Sequence, residues 1–260
     1  MTLGYIIAAT LLGGALSVLI AASLTVAVLG RVVKSLVSLS AGVLLGTSLL
    51  HVLPEAFDSD AGADRLFAAL LGGLLFFFLL EKAELYRHGH HHEGDDPHHH
   101  HHHGFDAEQA GTGGWSVLLG DSIHNFCDGI IIAAAFLADT QLGIVTALAV
   151  VAHEIPQEVG DYIVLLNAGF SRAKALLYNA LSGAAAVAGG VLGYYVARPW
   201  ADLFPYLLVV ASSSFIYVAV ADLLPQLQRR LPLAQTLAQV AWIGAGLLLV
   251  SGATALLHAH

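Results

Sequence analysis

Two polar runs headed by histidine, His124-Asn125-Phe126-Cys127-Asp128-Gly129 and His153-Glu154-Ile155-Pro156-Gln157-Glu158-Val159-Gly160-Asp161, interrupt stretches otherwise apolar enough to cross a bilayer. A charged side chain near the centre of a membrane helix costs roughly 2.5 to 3.5 kcal/mol on insertion scales. Left unpaired, Asp128, Glu154, Glu158 and Asp161 together would cost on the order of 10 kcal/mol, so the chain must compensate them. Imidazoles mixed with carboxylates are the donor set of a divalent metal. On a helix, His124 and Asp128 stand at i and i+4 on one face, with Asn125 at i,i+3 to Asp128. In the second run His153 and Gln157 are again i and i+4. Glu154, Gln157 and Asp161 follow the adjacent face, with Glu158 beside them. Two such faces turned toward each other make a mixed N/O cage with no thiolate essential to it. That chemistry suits Zn²⁺, and also Fe²⁺, Mn²⁺, Co²⁺ or Cd²⁺.

Other polar residues admit two readings each. Pro156 removes an N–H and displaces the carbonyl of Ala152, which either becomes a further oxygen ligand beside a polar cavity or reflects helix packing alone. His51 and Glu55 lie on an ion pathway or simply end a span. Asp121 and Ser122 cap a helix break or lead ions toward the first run. Asn179 and Ser182, like Ser212, Ser213, Ser214 and Asp222, face the site or bond and pack locally. The Gly42/Gly46 and Gly189/Gly193 pairs read as helix-packing surfaces.

The elements that position these residues follow from hydropathy. The chain has 260 residues, 57% of them hydrophobic and 11% charged, with a mean hydropathy of +0.75. This is the composition of a polytopic membrane protein. Apolar runs long enough to span fall at about 3–29, 35–57, 65–86, 113–137, 140–167, 172–197, 203–224 and 233–257. The expected fold is therefore all-α, with eight transmembrane helices. Spans 1–3 occupy 1–86, a histidine-rich loop 87–112, the metal-bearing spans 4–5 residues 113–168, and spans 6–8 residues 169–260. Met1 to Tyr5 lack the positive region of a secretory signal, so the first span is expected to be retained.

With the N-terminus outside, the inner loops and flanks hold Arg31, Lys34, Lys82, Arg87, Arg172, Lys174, Arg229 and Arg230, against Arg65 and Arg198 outside. The positive-inside bias places both termini extracytoplasmic and the histidine loop in the cytosol. His51-Val52-Leu53-Pro54-Glu55 echoes Asp222-Leu223-Leu224-Pro225-Gln226 on spans of opposite sense, as an inverted repeat of spans 1–3 and 6–8 around the polar pair would require. The loop, with His90, His91 and His92 and six further histidines at 98–103, cannot bury a core and is expected to be disordered, capturing metal loosely. The 98–103 tract is either native or a purification tag.

Composition also excludes. Ten scattered Lys and Arg residues in a chain of net charge −9 make no nucleic-acid surface. Cys127, the single cysteine, forbids an internal disulfide. The chain has no phosphate-binding G-x-x-x-x-G-K-[ST] run. His153-Glu154-Ile155-Pro156-Gln157 is one residue from the H-E-x-x-H of a metalloprotease, but Gln157 supplies no second imidazole, and Pro156 disturbs the pairing that helix needs. A non-enzyme with no catalytic cofactor is expected; a metal-selective channel or a metal sensor is the alternative to a carrier.

The two runs, with Gly46 to Glu55 in the second span and Phe77 to Lys82 in the third, resemble the ZIP (Zrt-, Irt-like protein) family of divalent-metal transporters. The resemblance implies inward movement of metal, zinc first, by alternating access, a homodimer, and a plasma membrane location, here the bacterial cytoplasmic (inner) membrane. It implies a first metal position of His124, Asp128, His153 and Gln157. It implies a second of Asn125, Asp128, Glu154 and Gln157, bridged by Asp128. Two departures stand out: Gln157 replaces the His or Glu of many members, and Ala186 and Val187 occupy the place of a Glu-Pro found in some bacterial members.

Overall fold

The computed structural model describes residues 1–23, 26–89, 114–228 and 232–258. Among them are eight helices long and apolar enough to cross a membrane, and no strand. The protein is an all-α polytopic membrane protein. Helices satisfy their own backbone polar groups, the condition for crossing hydrocarbon. α1 is Thr2–Ser23, α3 Ala63–Gly89, α4 Gly114–Ala138, α5 Thr140–Asn167, α6 Arg172–Ala197 and α8 Leu233–His258. α2 (26–57) and α7 (204–227) are composite. Each is an α segment, then a π turn, then a short α segment: Val26–Thr47, Ser48–Val52 and Leu53–Phe57 in α2, and Phe204–Tyr217, Val218–Leu223 and Leu224–Leu227 in α7.

One connection differs from expectation. Arg31 and Lys34 lie within α2, in its Val26–Thr47 segment, rather than in a connecting loop. Charge marks where a chain meets water, whereas a helix continues wherever its backbone bonds can form. α3 likewise runs through Arg87 and His88; the rest of the histidine loop, including His90, His91 and His92, lies outside the described residues.

The π turns sit at the sequence echo. Leu53 N–H bonds back to Ser48 O, and Leu224 N–H to Ala219 O. Each of these residues immediately precedes a proline, Pro54 or Pro225, which lacks an N–H and whose ring crowds the carbonyl four residues back. Widening the preceding turn relieves that crowding.

Glycines set the closest approaches. A Cβ on Gly129 of α4 would fall on the Ala186 carbonyl oxygen of α6, and one on Gly189 of α6 on that of Phe126. α2 and α8 meet the same way, Gly42 against Ile243 O and Gly246 against Leu39 O. The expected packing role of the Gly42/Gly46 and Gly189/Gly193 pairs is fulfilled: Gly46 lies against Leu247, and Gly193 against Ala133 and Ile130. Without such approaches, membrane helices lose the dispersion contacts that hold them together. α4 packs against α6, α5 and α1, and α5 also against α1 and α2, which encloses the two polar runs.

Candidate metal centre

α4 and α5 form a tight antiparallel pair. One residue, Asp139, separates them, and its Oδ1 accepts the Leu142 N–H at 2.9 Å to cap α5. At the other end of α5, Gly169 takes φ +88°, a left-handed conformation that glycine adopts without strain, and Ser171 caps α6. The reversals bring His124 and Asp128, mid-α4, opposite His153 and Glu154, mid-α5.

His124, Asp128, His153 and Glu154 each offer a ligand atom within 4.8 Å of the others'. His153 Nε2 stands 2.9 Å from Asp128 Oδ2 and 3.3 Å from His124 Nε2. Glu154 Oε1 lies 3.5 Å from His153 Nε2 and 3.7 Å from His124 Nε2. Asp128, His153 and Glu154 are buried, while the His124 side chain is 18% exposed. His153 Nδ1 is 3.1 Å from the Ala149 carbonyl. A carbonyl only accepts, so Nδ1 carries a proton, and Nε2 is the ring atom turned to Asp128. This is how a backbone acceptor commonly orients a metal-binding histidine. Phe215 of α7 stacks edge-on against the His153 ring, with centroids 6.2 Å apart. Two imidazoles and two carboxylates converging within 4.8 Å form a donor set that suits a divalent ion.

A second group adjoins the first. Asp121, Glu154 and Glu158 also bring carboxylate oxygens within 4.8 Å of one another, and all three are buried. Asn125 and Gln157 each donate an amide N–H to Asp121 Oδ1 at 3.1 Å. Their amide nitrogens are therefore committed to Asp121, leaving the side-chain carbonyl oxygens for other partners. Asn179 donates to the Glu158 main-chain carbonyl at 2.9 Å, and Ser182 meets Ser122 at 2.9 Å beside Leu118 O, which ties α6 to both helices.

The remaining expected residues stand apart. His51 is half-buried near the far end of α2, 3.2 Å from the Thr254 hydroxyl of α8, and Glu55 is exposed. Asp161 is half-buried, one turn beyond Glu158, outside both groups. The Ala152 carbonyl accepts the Ser40 hydroxyl of α2. Ser40 had no sequence signal, being one serine among several in α2. The joining of Asp121 to the second group had one, because Asp121, Asn125 and Asp128 at i, i+4 and i+7 form a single stripe.

The family model described as ZIP Zinc transporter matches residues 83–254, about two thirds of the chain, and the chain belongs to this family. Among its relatives, zinc transporter ZIP10 of Danio rerio is 44% identical over 113 residues, covering 44% of this chain and 13% of the relative. Human zinc transporter ZIP4 is 41% identical over 43% of the chain and 17% of its own length. The metal cation symporter ZIP8 of Rattus norvegicus is 36% identical over 46% of the chain and 25% of its own length. The chain thus matches at most a quarter of the length of each of these. All three are animal proteins and lend no support to a bacterial cytoplasmic membrane; the integral-membrane assignment rests on the eight helices and the family.

Proposed function

We propose that the protein carries divalent transition-metal ions, zinc first, into the cytosol by alternating access through α4 and α5. The observation that carries this reading is the convergence of His124, Asp128, His153 and Glu154, with His153 Nε2 2.9 Å from Asp128 Oδ2. A mixed N/O set of this kind holds Zn²⁺ and also admits Cd²⁺, Fe²⁺, Mn²⁺ and Co²⁺. As the partly exposed member, His124 is where an ion meets the water-filled side of the site. The family resemblance adds a neighbouring position that uses Asn125, Asp128, Glu154 and Gln157, making the site binuclear.

Extracytoplasmic termini are supported by the eight-to-two distribution of Lys and Arg, and inward direction by the family resemblance. The inverted repeat is supported by the matching π turns before Pro54 and Pro225. Movement of α4 and α5 against a homodimer-forming scaffold is the corresponding mechanism, and the glycine contacts are surfaces along which helices can slide. A channel of the same selectivity would conduct without the site alternating between the two sides, and a sensor would bind without flux.

Uptake of Zn²⁺ into proteoliposomes, with His124→Ala and Glu154→Ala as controls, separates these readings. Saturable uptake abolished by both changes is expected; unchanged uptake in both would sink the site assignment.

A further inference from the structure

The geometry points to a further divalent-cation position, one helical turn from the histidines and built from oxygen alone: Asp121, Glu154 and Glu158. It rests on the proposed transport site in one respect, since the two share Glu154. One carboxylate oxygen from each of the three residues lies within 4.8 Å of the other two, and none of the residues is more than 5% exposed. Three anionic oxygens that close repel strongly in a low-dielectric interior. Among the described residues, no group donates a hydrogen bond to either oxygen of Glu158, whose side chain is wholly buried, to either oxygen of Glu154, or to Asp121 Oδ2.

Asp121 Oδ1, in contrast, is clamped by the Asn125 and Gln157 amides. Two neutral donors thus orient this carboxylate and leave Oδ2 as the oxygen available to an ion. That is the role of outer partners around a metal ligand. Asn179 from α6 holds the Glu158 main chain in the same way. A shared divalent ion turns the mutual repulsion of the three carboxylates into coordination.

Oxygen-only coordination favours a harder ion than the histidine group does, with Mn²⁺ gaining relative to Zn²⁺. Placement gives the position a part in transport. Asp121 precedes His124 on α4, and Glu158 follows Glu154 on the antiparallel α5, so both lie toward the Gly114 and Asn167 ends, those expected to face the cytosol. An ion leaving the histidines keeps Glu154 while it gains Asp121 and Glu158, so the position is a relay on the cytosolic side.

The test uses the full chain in detergent, with Mn²⁺ and Zn²⁺ as probes. Glu158→Gln is nearly isosteric and touches neither histidine; it and Asp121→Asn are expected to weaken Mn²⁺ binding by at least about tenfold. Zn²⁺ binding should change far less in Glu158→Gln, whereas His153→Ala should show the reverse pattern. Electron–nuclear double resonance on wild-type protein, which needs no variant, should show a bound Mn²⁺ without histidine ¹⁴N coupling. Unchanged Mn²⁺ binding in both carboxylate variants, or ¹⁴N coupling on the Mn²⁺ that Glu158→Gln removes, would overturn the proposal. Zn²⁺ binding left intact by His153→Ala would instead overturn the histidine site and leave the oxygen site to be judged by its own pair of variants.

Discussion

Pro54 and Pro225 in the flanking helices and Pro156 in the central one pose the same problem and meet opposite solutions. In α2 and α7 the backbone widens into a π turn ahead of the proline. In α5 the helix runs unbroken from Thr140 to Asn167, and the displaced Ala152 carbonyl is taken up by Ser40 from the neighbouring α2. The difference follows from what each helix carries. A π turn inserts one residue and rotates everything after it by about 100°. In α5 that rotation would separate Glu158 from the face of Glu154 and break the alignment on which both polar groups depend. Among the described residues, the two groups of converging ligand atoms draw nothing from the π turns of α2 and α7, so the backbone there is free to absorb the strain.

The largest test of this contrast is at the centre of the site. Asp128→Ala should lower Zn²⁺ uptake by more than about 100-fold, beyond the range for loss of an outer-sphere partner, while His51→Ala beside the α2 π turn should lower it far less. Comparable losses in initial-rate uptake assays would erase the distinction between centre and flank.

Next comes backbone approach. Gly189→Leu places a side chain on the Phe126 carbonyl and should cost at least the ~1–3 kcal/mol typical of overpacking, seen as reduced folded yield and a lower Tm in detergent. The same change at Gly72, where nothing lies within 4 Å, should be tolerated.

Ser40→Ala should destabilise by about 1 kcal/mol, the scale of membrane hydrogen bonds. In a Pro156→Ala background the cost should shrink, because residue 156 regains an N–H for Ala152 O; a double-mutant cycle in thermal unfolding reads that coupling. Gln157→His sharpens the comparison from the ligand side. It adds an imidazole within the α5 register, and a shift in the order of Zn²⁺, Cd²⁺, Fe²⁺ and Mn²⁺ in competitive uptake is the expected result. The smallest effect is expected of Pro54→Ala, within about 0.5 kcal/mol in unfolding, with the change confined to slower amide exchange around Ser48 to Val52 as the turn tightens.

Much of this architecture is legible in the residues alone. Span number follows from apolar run length, and the i,i+4 pairing of His124 with Asp128 follows from helix period. Helix ends are less legible: Arg31 and Lys34 lie within α2 and not in a loop, because hydropathy reports the bilayer and not the hydrogen-bond ladder. The echo around Pro54 and Pro225 was visible as letters, but not the π turns, which arise from how a proline ring meets the carbonyl four residues earlier.

The sequence by itself determined eight apolar helices and two histidine-headed faces, since both depend on properties that are local along the chain. Tertiary structure alone decided how those faces are divided. It set Glu154 between the histidine group and the all-oxygen group, gave the Asn125 and Gln157 amides to Asp121, and sent the Ala152 carbonyl to Ser40, 112 residues away. The physical reason is rotational. A helix fixes the angle between its own residues, whereas its angle relative to its neighbours is set by packing, here by glycine surfaces such as Gly129 on Ala186 and Gly189 on Phe126.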